Sequence, residues 1–388
     1  MPATDVIITG GGTAGHTNPG IAIAEALVAL GVGSERIHFV GGVRGNEGEL
    51  VAAAGFSIDL LPGRGLQRRL SIQNVRSVIE LVRGAAGALS IVRSRRPKVV
   101  LCLGGYAAAS ASLAAVVHRI PLVISEQNAR ASAVNRLMAR WAVASALPYP
   151  DTDLPKGSLT GNPIRSSVVA AVQDADPRQA RERLGVPADR TLVAVWSGSL
   201  GARSVNTAVR ELAVRWADRD DLALYHVVGR RDFDDFVDHP PEVVGARLIY
   251  RTVEYENEMP DVLAAADLAV CRAGASTTAE LAVAGLPSVL VPLPGAPRDH
   301  QRANSDELVD AKGALRLADA ELSGLRLAEL LEPLVADRGR LDAMAQAAAS
   351  VGRPDAAADV ARMLIAAGNL IVPQTPDRPV WPGAPTDG

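Results

Sequence analysis

The stretch Cys271–Pro287, CRAGASTTAELAVAGLP, decides the fold of the second half of the chain. The apolar run that leads into it, Asp267–Cys271, predicts a buried parallel strand. A turn at Gly274 then opens a short alanine-rich helix, Ser276–Ala284, which ends at Gly285 and the following Leu-Pro pair. A helix that starts at the carboxyl end of a strand carries unpaired N–H groups and a partial positive charge, so this turn predicts a site for a phosphate ester.

Glu280 lies in the first turns of this helix. A carboxylate there would repel a phosphate, but it could accept hydrogen bonds from two hydroxyl groups of a sugar beside the phosphate. The alternative is structural, because Thr277 and Glu280 also match the Thr-x-x-Glu pattern of a capping box. The spacing alone leaves both interpretations open.

Length and composition narrow the class of protein. A chain of 388 residues with 48% hydrophobic and 21% charged residues predicts a globular protein of two domains, and a net charge of −3 argues against a general nucleic-acid binder. The two cysteines, Cys102 and Cys271, lie in apolar runs, as expected for buried thiols in a reducing compartment. With no charged leader at the N-terminus, we expect a cytoplasmic protein without a signal peptide.

One uncharged run, Val99–Val117, is long enough to cross a membrane. Gly104 and Gly105 divide it into a short apolar strand and a weakly apolar helix of alanine and serine. This is the pattern of a strand, turn and helix within an α/β domain, so we predict no membrane span.

The N-terminal strand, Asp5–Thr9, runs into the glycine-rich loop Gly10–His16 and an alanine-rich helix, Pro19–Leu30. The loop has the Gly-x-Gly-x-x-Gly spacing of a dinucleotide-binding motif, but the second strand, Arg36–Val40, is not followed by the acidic residue that such a site needs. We therefore predict that the glycines let a substrate approach closely and that His16 projects into that space. The alternative is a structural histidine.

The segment Arg64–Lys98 combines nine basic residues with a single acid, Glu80, and many leucine, isoleucine and valine side chains. On an otherwise acidic protein this favours adhesion to an anionic membrane surface, where each cation contributes about 1 kcal/mol. The alternative is an ordinary amphipathic helix with a solvated arginine face.

The second half repeats the architecture of the first. Strand Thr191–Val195 is followed by a glycine-rich turn, Trp196–Arg203, and a helix, Val205–Trp216. This repetition predicts an α/β fold of two doubly wound domains that face each other across a cleft. The boundaries we predict are residues 1–162 for the first domain, 163–350 for the second, 351–368 for a C-terminal helix that packs back on the first, and 369–388 for a disordered tail.

Clustered carboxylates occur in two loops, at Asp151 and Asp153 and at Asp232, Asp234 and Asp235. No histidine accompanies either cluster, so we interpret both as solvated surface rather than as metal sites.

Seven loops, GGGTAGHTNPG, GGYAAAS, EQNARASAVNRLMA, GNPIR, GSLGAR, CRAGASTTAE and HQRAN, resemble in order and spacing those of the MurG family over roughly residues 5–367. The resemblance implies the GT-B fold, with two Rossmann-like domains, and inverting transfer of N-acetylglucosamine from UDP-N-acetylglucosamine to the C4 hydroxyl of the muramyl sugar of lipid I in peptidoglycan synthesis. It implies no cofactor and no obligatory metal. It also implies a peripheral location on the cytoplasmic face of the cell membrane, with an anionic membrane surface as a partner.

The resemblance also assigns residues. His16 becomes the candidate catalytic base, with a near-neutral pKa suited to that task. The predicted donor-binding residues are Thr13, Gly15, Arg165, Ser199, Tyr255, Arg272, Ala275, Ser276, Glu280, His300, Gln301 and Asn304. The predicted acceptor-binding residues are Tyr106, Glu126, Gln127 and Asn128, and the loop that carries Thr13 and His16 also matches the acceptor side.

Three positions depart from the family pattern. Leu200 stands where glutamine is usual, Ser125 where a histidine commonly precedes Glu-Gln-Asn, and His300 where glutamine is frequent. The change at Ser125 leaves His16 as the histidine of the first domain best placed for proton transfer.

Three rival functions stay open at this point. A GT-B transferase of another sugar onto a lipid or natural product would share the fold. A hydrolysing UDP-N-acetylglucosamine 2-epimerase would need no lipid and no basic stretch. A catalytically silent nucleotide-sugar binding or membrane scaffold protein would release no UDP when lipid I is added.

Overall fold

A computed structural model describes residues 4–11, 14–43, 45, 47–62, 72–174, 176–238 and 246–372. The chain forms two compact units. The first runs to Ser166 and resumes at Pro354, and the second is Ser167–Arg353. Thr13, much of the basic segment after Arg64 and the tail beyond residue 372 lie outside the described residues.

The first unit contains a parallel sheet of seven described strands in the order β3-β2-β1-β4-β5-β6-β7. Its central strands are buried on both faces, which explains why their sequences are continuous apolar runs. The strands are β1 Val6–Thr9, β2 Ile37–Gly42, β3 Ser57–Leu61, β4 Val99–Cys102, β5 Leu122–Ser125, β6 Ala144–Leu147 and β7 Gly157–Leu159.

Helices connect these strands and cover the sheet. They are α1 Ala14–Ala29, α2 Glu47–Ala53, α3 Ile72–Arg95, α4 Tyr106–Val117 and α5 Ala133–Met138. Helix α1 begins before Pro19, so our prediction of a start at this proline is wrong. Pro19 lies inside the helix but near its start, where few backbone bonds are lost. None of the helices in the described ranges is long and apolar enough to span a bilayer.

The second unit repeats the plan with a parallel sheet in the order β10-β9-β8-β11-β12-β13. Its described strands are β8 Thr191–Trp196, β9 Leu222–Val227, β10 Ile249–Val253, β11 Leu268–Cys271, β12 Ser288–Leu290 and β13 Ala314–Arg316. The helices of this half are α6 Ser166–Gln173, α7 Pro177–Leu184, α8 Arg203–Arg215, α9 Phe233–Asp238, α10 Met259–Ala265, α11 Ala275–Ala284, α12 His300–Asp310, α13 Gly324–Val335 and α14 Arg338–Ser350.

The last described helix, α15 Ala356–Ala367, returns to the first unit. Val360, Met363 and Leu364 join the core that α1 and β1 form there. Leu370, which we placed in the tail, is also buried in this core, so the packed structure extends past the helix.

Both sheets have the strand order of doubly wound Rossmann-like domains, which confirms the predicted α/β class with two such domains. The order reverses between β1 and β4 in the first unit and between β8 and β11 in the second. Ligands of such sheets bind beyond the carboxyl ends of the strands at these two points, and the glycine-rich loops lie there.

Candidate active site

The turn between β11 and α11 has the backbone features of a helix start that can bind an anion. Gly274 is the N-cap residue of α11 and has an extended backbone, with φ −66° and ψ 148°, and it makes no side-chain capping bond. The first N–H groups of the helix are therefore not used by a cap, and the helix dipole favours a negative charge there. Ala275 and Ser276, two of the predicted donor-binding residues, form its first turn.

Glu280 is one turn further along α11, so it does not face the N-cap, and the capping-box interpretation of Thr277 and Glu280 is wrong. Glu280 is half-buried, and desolvation of its carboxylate raises its pKa from 4.5 to about 7. Within the described part of the chain it has no hydrogen-bonding or ion-pair partner. A desolvated carboxylate without donors is costly, so this side chain is suited to accept hydrogen bonds from a ligand.

Helix α12 supports the turn from the side. The Asn304 side chain is buried, and its Nδ2 donates to the carbonyl oxygen of Ala273 at 3.3 Å. Gln301 Oε1 accepts from the Leu293 backbone N–H at 2.9 Å, and His300 Nδ1 donates to the Pro297 carbonyl at 2.9 Å. These contacts hold the loop before α12 in place.

The loop before His300 is strained. Arg298 and Asp299 both adopt the left-handed region, with φ 56° and 52°. Such a conformation in two consecutive residues other than glycine costs free energy, and strain of this kind collects at functional sites.

The glycine-rich loop after β8 presents Ser199 to solvent at the carboxyl end of the second sheet. Gly201 has φ +76°, and a side chain there would overlap the carbonyl oxygen of Val228, so only glycine fits. Asn206 of α8 fastens this contact, because its Nδ2 donates to the same carbonyl at 3.1 Å. Leu200, in place of the usual glutamine, is 61% exposed.

The structure contradicts our interpretation of Asp232 as a solvated residue. We read it as solvated, yet it is buried and accepts hydrogen bonds from Arg231, Arg203 and Asn206. Arg231 holds the pKa of this carboxyl below its usual range. Its role is therefore to brace the loop, and among the described residues no group of three or more acidic, histidine or cysteine side chains forms a metal site.

Two further predicted donor-binding residues are Arg272 and Tyr255. The Arg272 guanidinium is buried and makes contacts to protein atoms through both terminal nitrogens. Tyr255, just beyond β10, is 41% exposed, and the guanidinium of Arg230 lies over its ring at 4.6 Å. Tyr255 therefore offers a supported ring surface at the strand end.

In the first unit, His16 lies in the first turn of α1, close to Gly104 at the end of β4. Burial lowers the pKa of its imidazole, and the negative charge of Glu126 acts in the opposite direction. Burial prevails, so the ring is neutral at pH 7 and can accept a proton.

Glu126 itself is fully engaged. Its Oε1 accepts from the backbone N–H groups of Gln127 and Asn128, both at 3.0 Å, and its Oε2 accepts from Ser132 N at 2.9 Å and Asn135 Nδ2 at 2.7 Å. It therefore shapes the loop after β5. Its own contact with an acceptor stays a prediction.

The remaining first-unit predictions fall at strand ends. Gln127 is buried, and its Nε2 donates to the Ser125 carbonyl at 2.7 Å. Asn128 follows it and is partly exposed. Tyr106 begins α4, and its hydroxyl group lies against Gly42 at the end of β2. These side chains lie at the edge of the sheet where His16 is found.

Two predicted donor-binding residues, Arg165 and Gly15, lie in the first unit, and for Arg165 this differs from the predicted boundary at residue 163. Arg165 makes two hydrogen bonds to Glu25 Oε1, at 2.8 and 3.2 Å. Gly15 is exposed in the first turn of α1. Thr13 lies outside the described residues.

Sequence reasoning missed several residues that build the site. Ser132 and Asn135 fix Glu126, and Asp319 pairs with Arg272. Asn162 of the GNPIR loop is buried, and its side-chain amide has no hydrogen-bond partner in the part of the chain that the structure describes. The sequence carried a signal for Ser132, Asn135 and Asn162, because all three lie inside loops that resemble those of the family. Asp319 lies outside these loops, and its contact with Arg272 depends on the tertiary fold.

Comparison with known proteins places these features in a family. Models of the N-terminal and C-terminal domains of glycosyltransferase family 28 match residues 6–147 and 192–360. A relative from Moorella thermoacetica, named UDP-N-acetylglucosamine–N-acetylmuramyl-(pentapeptide) pyrophosphoryl-undecaprenol N-acetylglucosamine transferase, is 36% identical over 368 residues, which cover 93% of this chain and 98% of the relative.

Solved structures agree on the fold. MurG of Acinetobacter baumannii superposes with a TM-score of 0.73 at 24% identity, over 93% of this chain and 99% of that one. The UDP-GlcNAc 2-epimerase of Neisseria meningitidis, solved with UDP-GlcNAc bound, reaches 0.63 at 13% identity, over 93% and 100%. The fold alone therefore does not separate a transferase from an epimerase. The sequence relatives do separate them, and the chain belongs to the MurG family of GT-B glycosyltransferases.

Proposed function

We propose that this protein transfers N-acetylglucosamine from UDP-N-acetylglucosamine to the C4 hydroxyl of the muramyl sugar of lipid I, with inversion at the anomeric carbon, to form lipid II. The observation that carries the proposal is Glu280, a half-buried, desolvated carboxylate with a raised pKa and no partner among the described residues, next to a helix start that makes no side-chain cap. Two ribose hydroxyls would supply the missing donors.

In the proposed reaction the acceptor oxygen attacks the anomeric carbon, the bond from that carbon to the diphosphate oxygen breaks, and UDP leaves. The N–H groups of Ala275 and Ser276 stabilise the charge that develops on the diphosphate, and such preorganised donors are usually the largest catalytic contribution. His16 accepts the proton of the attacking hydroxyl, for which its lowered pKa provides a neutral imidazole.

A transfer assay tests this function. Radiolabelled UDP-N-acetylglucosamine is incubated with the protein and a short-chain lipid I analogue, and UDP-glucose is the matched donor control. We expect a labelled disaccharide lipid and release of UDP only when both substrates are present. Conversion of the donor without an acceptor would instead identify an epimerase or a hydrolase.

We also propose that the first unit docks on an anionic membrane. Helices α3, α4 and α5 cover one face of its sheet and share a core there. Their outer faces expose large apolar side chains, namely Val82, Leu89, Leu113, Val117, Leu137 and, just past α5, Trp141. Arg83, Arg93, Arg119 and Arg140 are exposed on or beside the same helices, so an apolar surface with a basic surround faces outward.

Vesicle sedimentation tests this surface. We expect binding to vesicles that contain anionic phospholipid and at least tenfold weaker binding when Val117 and Trp141 are both replaced by glutamate, because the apolar contact is lost and negative charge is added. Val214→Glu, at a valine of the second unit that is 48% exposed, is the control. Unchanged binding of the double variant would exclude this surface.

A further inference from the structure

The Arg272 guanidinium links the Gly274 turn, which we assign to the diphosphate, to the glycine-rich loop of Ser199, a predicted donor-binding residue. Arg272 directly precedes the turn at Gly274, and its Nη2 donates to Ser204 Oγ at 2.9 Å. Ser204 is in the first turn of α8, immediately after the glycine-rich loop that carries Ser199. The same guanidinium donates through Nη1 to the Val291 carbonyl at 3.1 Å, at the end of β12.

Asp319 organises this link. Its Oδ1 lies 2.6 Å from Arg272 Nη1 and accepts the Ser204 hydroxyl at 2.8 Å. The aspartate begins a 3-10 turn, Asp319–Glu321, which follows β13. The Oδ1 atom of Asp319 therefore binds both Arg272, which precedes the Gly274 turn, and Ser204, which follows the Ser199 loop.

The charges explain why this carboxylate matters. The Arg272 residue is only 9% exposed, and its Nε has no hydrogen-bond partner within the described ranges. A buried cation needs a counter-charge, and within the described residues Asp319 is the carboxylate paired with it. The Asp319 carboxylate already compensates the charge of the Arg272 guanidinium. Arg272 is therefore better suited to hold the two loops in place than to neutralise a phosphate directly.

We propose that Asp319 is a positioning residue for the donor diphosphate, acting through Arg272 and Ser204 to fix the Gly274 turn and the Ser199 loop relative to each other. The inference rests on the proposed function of this site. It assigns a role in donor recognition to a residue outside the loops that define the family resemblance.

The test is Asp319→Asn, which keeps the side-chain shape but removes the charge. UDP and uridine are titrated by calorimetry, and KM and kcat are measured for UDP-N-acetylglucosamine. We expect UDP to bind about tenfold more weakly while uridine binding changes less than about twofold, because only the diphosphate contacts are displaced. The KM for the donor should rise by about the same factor as the UDP Kd, since a misplaced binding loop weakens substrate binding.

The matched control is Glu307→Gln. Glu307 pairs with Arg353 at 2.7 Å and its side chain is 19% exposed, against 21% for Asp319, but its partner lies at the end of the second unit rather than beside the loops. Thermal unfolding of both variants reports any general loss of structure. We expect Glu307→Gln to leave UDP binding unchanged.

Ser204→Ala provides a second and milder variant. It keeps the ion pair and removes the bridging hydroxyl, so we expect UDP affinity to fall about threefold. The double variant with Asp319→Asn should match Asp319→Asn alone, because both changes break one network. Wild-type UDP affinity in Asp319→Asn, or equal loss of uridine and UDP affinity, would overturn the inference. Failure of the wild-type protein to bind UDP would instead refute the proposed function.

Discussion

Glu126 of the first unit and Glu280 of the second both follow a strand of a Rossmann-like sheet, and both were assigned to the active site from the sequence. Their surroundings are opposite. Glu126 accepts four hydrogen bonds from its own loop, whereas Glu280 is desolvated, has a pKa near 7 and finds no partner among the described residues. The first carboxylate is already satisfied by the protein and the second is not.

This difference indicates what each acid is for. A satisfied buried carboxylate stabilises the loop that it organises, and removing it leaves several donors unpaired. A desolvated carboxylate without hydrogen-bond donors destabilises the fold, and it is retained where a ligand supplies those donors. The comparison therefore predicts opposite changes in stability when the two residues are replaced.

The largest expected effect is that of Glu126→Ala on stability. Four donors, including the Asn135 side chain, lose their acceptor, so we expect the free energy of unfolding to fall by about 4 kcal/mol. Chemical denaturation followed by circular dichroism measures it. Glu49→Ala, at an exposed glutamate of the same unit, is the control and should change stability by less than about 0.5 kcal/mol. An equally small change in stability for Glu126→Ala would show that Glu126 has no structural role.

His16→Ala is expected to lower kcat about 300-fold, because a general base contributes on this order. UDP affinity should not change, since the uridine site that we propose is in the other unit. In the wild type, kcat should fall only at a pH below the ordinary histidine value of 6.5, where the imidazole becomes protonated. His118→Ala, at an exposed histidine of the same unit, is the matched control. Near-normal turnover of His16→Ala would exclude the catalytic role.

Glu280→Gln is expected to raise the Kd of UDP about 30-fold, because a neutral amide accepts ribose hydroxyls less strongly than a carboxylate. The wild type should prefer UDP over 2′-deoxy-UDP, and the variant should lose most of this preference. Glu329→Gln, an exposed change in the same unit, is the control. An unchanged ratio of the two affinities would show that Glu280 does not contact the ribose.

The same variant sharpens the stability comparison. Because the folded-state pKa of Glu280 is raised from 4.5 to about 7, the folded protein holds a proton that the unfolded chain releases, so stability falls as pH rises through this window. At pH 8 we expect Glu280→Gln to be more stable than the wild type by up to about 3 kcal/mol, and near pH 4 the gain should vanish. A loss of stability at pH 8 would contradict this account.

The sequence predicted the parts of this molecule that follow from local pattern. The apolar runs that became β1, β4, β8 and β11 are buried on both faces, and the glycine-rich turns after them have few alternatives. Strands β3, β6, β7 and β13 were not recognised. They are short or exposed at the sheet edge, or built from small residues such as Ala144 and Ala146, so their composition carries little strand signal.

The site was predictable only in outline. Motif spacing identified Glu280 and Glu126 as site acids but could not distinguish them, because spacing does not show that Ser132 and Asn135, further along the same loop, donate hydrogen bonds to the Glu126 carboxylate. Arg272 follows β11 and Asp319 follows β13, so the two residues are far apart in the sequence. Their ion pair therefore leaves no local sequence pattern. Asp232 looked solvated because its arginine and asparagine partners include residues about 30 positions away.

The most direct measurement of the central claim is the number of protons released when UDP binds at pH 7, obtained by calorimetry in buffers of different ionisation enthalpy. Free Glu280 is about half protonated at this pH, and ribose hydroxyls should lower its pKa and drive the proton off. We predict that the wild type releases about half a proton more per UDP than Glu280→Gln, which cannot titrate there. Equal proton release by the two proteins would contradict the assignment of Glu280 to the donor site.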